Sequence, residues 1–197
     1  MKTDSDSGNM SARAGKIFQL KLESYKQKSD WFGLIKMLKR YAKRYPNAYF
    51  VHQQLAATLY VDGIAKFHLA FQHAERAKNI EPDDDLNIYT YACALYYVGK
   101  LEKSFEYLTK IINKDIHEIA YGEHGEGLRY AKQLINDSVF MAGVVCQGMH
   151  RYNEAKDYFM RYLENKKPFQ YSDFTKKQAM SHLSELAAKR QSMGMSI

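Results

Sequence analysis

Apolar residues recur at intervals of three and four along almost the whole chain, and alternating strand-like patterns are missing. That period belongs to helices with one face turned to a core. Phe32, Ile35, Leu38 and Ala42 form one such stripe, Leu101, Phe105, Leu108 and Ile112 a second, and Tyr152, Ala155, Phe159 and Leu163 a third. The helices are expected to be short, because turn signals interrupt the pattern. Ser29-Asp30, Val61-Asp62-Gly63, Val98-Gly99 and Gln147-Gly148 fall inside helix pairs, whereas Tyr45-Pro46-Asn47 and Glu81-Pro82-Asp83 fall between them. A proline lacks the N–H that a helix interior needs, and it pushes the residue before it toward extended geometry. Asp30 suits a helix N-cap, since its carboxylate can accept a first-turn N–H.

The segments also resemble one another. Phe67 to Ala77, Leu101 to Ile111 and Tyr152 to Tyr162 each place a large residue first, a small one three later, and apolar residues four and seven beyond that. The small residues are Ala70, Ser104 and Ala155. The step from Ala70 to Ser104 is one period, and the step from Ser104 to Ala155 is that period and half as much again. Pro46 and Pro82 stand slightly more than one period apart.

A helix–turn–helix unit with a period of roughly 34 residues resembles the tetratricopeptide repeat. The residues that carry the resemblance are the Gly99-Lys-Leu101 and His150-Arg-Tyr152 turns, the small Ala70, Ser104 and Ala155, Ala77, and the closing Pro46 and Pro82. The segment from Gly143 to Ala155 matches best. No Trp opens a first helix, Leu34 stands where a small residue is usual, and two extra residues fall near Val61-Asp62-Gly63. The resemblance implies an all-α, right-handed solenoid of about four pairs, near 15–48, 49–84, 85–118 and 136–169. An insertion would occupy 115–133, and a capping helix 173–190 would turn Phe174, Met180, Leu183 and Leu186 inward. Residues 1–12, polar and with little to bury, are expected to form a disordered tail ahead of one repeat domain over 13–191.

The resemblance further implies a concave face lined by first helices. The repeat frame puts Phe50, Gln53 and Tyr60 there from the second pair, Tyr89, Cys93, Tyr96 and Tyr97 from the third, and Phe140, Val144 and Gln147 from the fourth. Tyrosine offers a broad apolar face with a polar tip, which suits a peptide or protein partner. Packing between helices is the competing role for the same rings.

Charge is uneven. The net charge is +7, and residues 1–46 alone hold 11 Lys/Arg against 4 Asp/Glu. Lys36, Lys39, Arg40, Lys43 and Arg44 share one stripe of one helix and are expected to be exposed together. They could meet an acidic partner, or simply form a solvated face; no nucleic-acid module accompanies them, which disfavours nucleic acid.

Catalytic signatures are weak. His117-Glu118-Ile119-Ala120-Tyr121 starts like a zinc-protease helix but ends in Tyr121 instead of the second imidazole. The loop Gly122–Gly127 sets Glu123, His124 and Glu126 among three glycines, where a cation or acid–base chemistry is conceivable and a solvated connection is the plainer role. It is expected to be exposed, mobile and metal-free. Cys93 and Cys146 are expected to be inert, part-buried thiols in a reducing cytoplasm. The N-terminal residues lack an apolar signal core, and no apolar run approaches membrane-spanning length.

These readings favour a non-enzymatic protein-binding adaptor without a cofactor. The alternatives are a dedicated chaperone or immunity-type partner of one bacterial effector or toxin, and a metal-dependent protein using the Gly122–Gly127 loop.

Overall fold

A computed structural model describes residues 10–60, 65–165 and 171–192. Most of the N-terminal tail, the Val61-Asp62-Gly63 turn and the end of the fourth pair lie outside the described residues. Among the described residues ten helices follow one another: α1 (Ala12–Gln27), α2 (Trp31–Arg44), α3 (Tyr49–Leu59), α4 (Phe67–Ile80), α5 (Asp85–Tyr97), α6 (Leu101–Asn113), α7 (Ile116–Tyr121), α8 (Leu128–Gly148), α9 (Tyr152–Asn165) and α10 (Lys176–Ser192). Among the described residues there is no strand. The chain divides into two compact units, residues 1–94 and 95–197, with the division inside α5.

The first unit has one continuous core. Phe18 and Leu22 of α1, Leu34, Met37 and Leu38 of α2, Val51, Leu55 and Leu59 of α3, and Ala70 of α4 are buried together. The inner edge of α4 is all alanine: Ala70, Ala74 and Ala77 are fully buried. Side chains this small let α4 lie close against α3, as the repeat frame requires for Ala70.

In the second unit, Ser104 and Ala155 are likewise fully buried. Helix α8 lies close against α9 at Gly143, where an added Cβ would stand 2.9 Å from the Phe159 ring. Glycine is needed there for space.

Three turns within helix pairs share one hydrogen-bond pattern. Ser29, Gly99 and His150 have positive φ values of 52°, 78° and 61°. The Ser29, Gly99 and His150 amides donate to the carbonyls of Lys26, Tyr96 and Gln147, and the next amide in each turn reaches back to Tyr25, Leu95 and Cys146. This is the Schellman closure, which satisfies the last carbonyls of the first helix in each pair. Asp30 then starts α2, its Oδ1 accepting the Gly33 N–H at 2.9 Å. In the second pair the corresponding return bond runs from the Lys66 amide to the Leu59 carbonyl, across the two additional residues.

The insertion is mostly helical. Asp115 caps α7, accepting the His117 and Glu118 amides at 2.8 and 3.2 Å. The remainder lengthens α8, which starts at Leu128, well before the expected 136.

Two expected faces need correction. Phe32 fits the apolar stripe of α2 but is 78% exposed. The buried residues of that helix are Leu34, Met37, Leu38 and Ala42, centred on the side away from Phe32. In the terminal helix Met180 is 60% exposed, and the inward positions are Ala179, His182, Leu183 and Leu186. Those spacings of three, one and three define one helical face, from which Met180 is turned away.

Candidate functional site

The aromatic residues expected on a concave face separate into surface and interior groups. In the first unit Phe50 is half-buried, its ring edge-on to Phe18 at 5.4 Å, so it belongs largely to the core. Gln53 is buried, and its Nε2 donates to Asn87 Oδ1 at 2.8 Å. The Asn87 amide nitrogen donates in turn to the Glu81 carbonyl at 3.1 Å, while Asp84 Oδ1 accepts the Asn87 backbone N–H at 2.8 Å. This network ties α3 to the Pro82 turn and the start of α5. Gln53 is therefore a structural clamp, and its expected place on the partner-facing concave face is corrected: a buried amide already hydrogen-bonded is costly to redirect. Tyr60 is half-buried, and its hydroxyl donates to the Thr90 carbonyl at 3.2 Å. Tyr89 is half-buried on α5.

In the second unit Tyr96 and Tyr97 pack edge to face, ring centroids 5.2 Å apart. Tyr97 is 40% exposed. Phe140, by contrast, is only 3% exposed. It stacks on Phe174 at 4.0 Å and meets Phe159, Tyr162 and His182 edge to face. Its assignment as a partner-facing anchor is corrected: the segment leading into α10 covers it.

Gln147 is half-buried and engaged by α10, donating from Nε2 to Glu185 at 3.2 Å, with His182 Nδ1 2.8 Å from its Oε1. The same segment is pinned by Asp137, a buried carboxylate that accepts from the Ser172 hydroxyl and, at 3.1 Å, from the Asp173 amide. Val144 is half-buried.

Lys36, Lys39, Arg40, Lys43 and Arg44 are all exposed. Among the described residues no carboxylate pairs with any of them; the described ion pairs, Lys110–Glu106, Lys114–Glu118 and Arg151–Glu154, are elsewhere.

A histidine pair beside this stripe had no sequence signal, because its members are far apart in the chain and only the α3–α4 packing joins them. His52 Nε2 lies 3.1 Å from the Pro46 carbonyl, and its Nδ1 lies 2.9 Å from His73 Nδ1. A carbonyl can only accept, so His52 carries its proton on Nε2 and accepts from the His73 Nδ1–H. A further proton has no place between the rings. Burial, then the facing His52, then Lys39 and Arg76 hold His73 down at about 4. His52 is lowered too, mainly by burial.

Glu123 and Glu126 are exposed and His124 is half-buried. The loop backbone is closed by the Gly125 amide on the Gly122 carbonyl and the Gly127 amide on the Ala120 carbonyl, both at 2.9 Å. An added Cβ at Gly125 would stand 2.3 Å from the Ala120 carbonyl oxygen. The loop's glycine therefore serves close packing, contrary to the loosely held connection expected. Among the described residues no three His, Cys, Asp or Glu side chains converge on a metal position. Cys93 and Cys146 are buried, and burial pushes the Cys146 thiol up to about 11. A thiol so placed is a poor nucleophile.

No family model matches this sequence, and no curated protein does. Solved structures do match the fold. The crystal structure of MamA protein has a TM-score of 0.55 at 14% identity, covering 92% of this chain and 96% of that one. MamA 41-end from Desulfovibrio magneticus RS-1 gives 0.55 at 10% identity, covering 90% and 95%. A MamA RS-1 ArsTM double mutant gives 0.55 at 11% identity, also covering 90% and 95%. With these neighbours and the shared Schellman turns, the chain has a tetratricopeptide-like, all-helical repeat fold.

Proposed function

We propose that the chain is a non-catalytic interaction module that binds a peptide or protein segment through the tyrosines of α5. The observation that carries this reading is the edge-to-face pair Tyr96–Tyr97 at the end of α5, with Tyr97 40% exposed. Within the first unit, Tyr89 and Tyr60, whose hydroxyl donates to the Thr90 carbonyl, are further candidate contacts. Rings held by packing lose little freedom when a partner covers them, so they favour binding more than flexible side chains would. The MamA-like fold supports the same class of function by analogy. A reducing cytoplasm suits a chain whose two thiols are both buried.

The test is partner capture from the native host, followed by affinity measurement on the recovered segment. Truncating an aromatic anchor typically costs about 2 kcal/mol or more. Tyr89→Ala and Tyr96→Ala are each expected to weaken binding by roughly thirtyfold with the helical circular-dichroism signal intact. Normal binding by both variants would remove α5 as the partner-binding face.

A further inference from the structure

On α2, Phe32, Lys36, Lys39 and Lys43 are separated by four, three and four residues. At 3.6 residues per turn they lie along one line of the helix, with Arg40 and Arg44 beside it. From Phe32 to Lys43 the line runs about 16 Å. Phe32 is 78% exposed at its head, more than any other large hydrophobic residue in the described chain. None of the five cations is paired with a carboxylate among the described residues. Arg76 of α4 adds an exposed sixth at the far end, its guanidinium donating twice to the Pro46 carbonyl, at 3.1 and 3.0 Å.

Helix electrostatics explains part of this surface. Lys43 and Arg44 occupy the last turn, where cations offset the partial negative charge of the carbonyls. Lys36 lies in the second turn, where that effect is absent or reversed. Phe32 sits in the first turn with most of its ring in water, so core packing does not account for its place. Single exposed apolar residues are common; one that heads an unpaired basic line is a different arrangement.

We propose that this face of α2 docks an acidic polypeptide segment that carries one apolar side chain. The inference rests on the interaction-module reading and adds a second contact with its own chemistry. Carboxylates along the segment would meet Lys36, Lys39 and Lys43, and its apolar residue would cover Phe32 and remove that ring from water. A line about 16 Å long spans some five extended residues. Nucleic acid fits less well, because no nucleic-acid module accompanies the line and residues 47–197 carry balanced charge. An anionic membrane would gain only one apolar side chain from this line, whereas lipid-bound helices submerge a whole apolar face.

The full chain is titrated with a labelled ten-residue peptide, Glu and Asp throughout except for one central Leu. Controls are the same peptide with Ser for Leu, single-stranded oligothymidine, and phosphatidylserine–phosphatidylcholine vesicles. Binding of the Leu peptide should weaken as salt rises, and Lys36→Glu/Lys39→Glu/Lys43→Glu should reduce it at least tenfold. Phe32→Ser should reduce it several-fold without changing the salt dependence, and the Ser peptide should match that loss on the parent chain. All four side chains are exposed, so circular dichroism should show every variant folded.

The proposal is overturned if the peptide fails to bind, if either variant binds it normally, or if oligothymidine or vesicles bind more tightly. The α5 reading fails separately: Tyr89→Ala and Tyr96→Ala would leave capture of the native partner unchanged while the α2 variants abolished it.

Discussion

Ser29 and His150 hold φ values of 52° and 61°, a region where any side chain beyond glycine crowds its own carbonyl. Gly99 fills the equivalent place in the third pair at 78° without that cost. Left-handed geometry costs an L-residue about 1–2 kcal/mol, and glycine returns part of this gain as chain entropy. Ser29→Gly is therefore expected to stabilise the protein by about 0.5–1 kcal/mol, read as a higher denaturant midpoint at constant slope. His150 is a poorer test, since its Nδ1 lies 2.7 Å from the Tyr152 hydroxyl and replacement would remove that contact. An unchanged or lower midpoint for Ser29→Gly would mean that the serine makes a contact outweighing its backbone strain.

Among the helices, the repeat was legible because a small residue is required wherever two helices cross closely. Ala70, Ser104 and Ala155 announce the crossings in sequence, and all three are fully buried. Ala155→Leu should overpack the α8–α9 contact at a cost of about 1–3 kcal/mol; an unchanged melting temperature would place Ala155 off that contact. Periodicity fails where two faces of a helix are both apolar. On α2 the residues Phe32 and Leu38 both satisfy a three-and-four spacing, yet only Leu38 is buried. On α10 Met180 looks like core and Ala179 does not, because hydrophobicity scales reward the larger side chain while close helix packing selects the smaller. The repeat frame misplaces Phe140 for another reason. It locates a position on its own pair, but nothing in it tells that Phe174 and His182, from beyond the last pair, will cover Phe140. The tyrosines of α5 were legible, as was the basic stripe; the histidine pair was not, since neither ring has a local partner.

For the whole molecule, proton uptake is the property that sums over distant residues. His73 has its folded value held at about 4 against an ordinary 6.5, and His52 and His182 are lowered as well, all chiefly by burial. A lowered value means that the unfolded chain takes up protons first. Stability should be full above about pH 6.5 and fall steadily toward pH 4, where His73 protonates even when folded. The net charge of +7 counts histidine as neutral, so protonating His52, His73 and His182 adds self-repulsion in the same direction. Thermal midpoints measured from pH 7.5 to 4.5 should decline over that window, and His73→Asn, which has no ring to protonate, should flatten the decline. A slope identical to the parent's would assign the loss to other groups. The three Schellman turns have a consequence in time. Each closes with amides and carbonyls three and five residues apart, so forming one demands almost no search through distant chain. Loop closure over so few residues takes well under a microsecond, against seconds for the slowest β-topologies. Refolding can thus begin at Ser29, Gly99 or His150 in any order, and a chain that loses one starting point still has two.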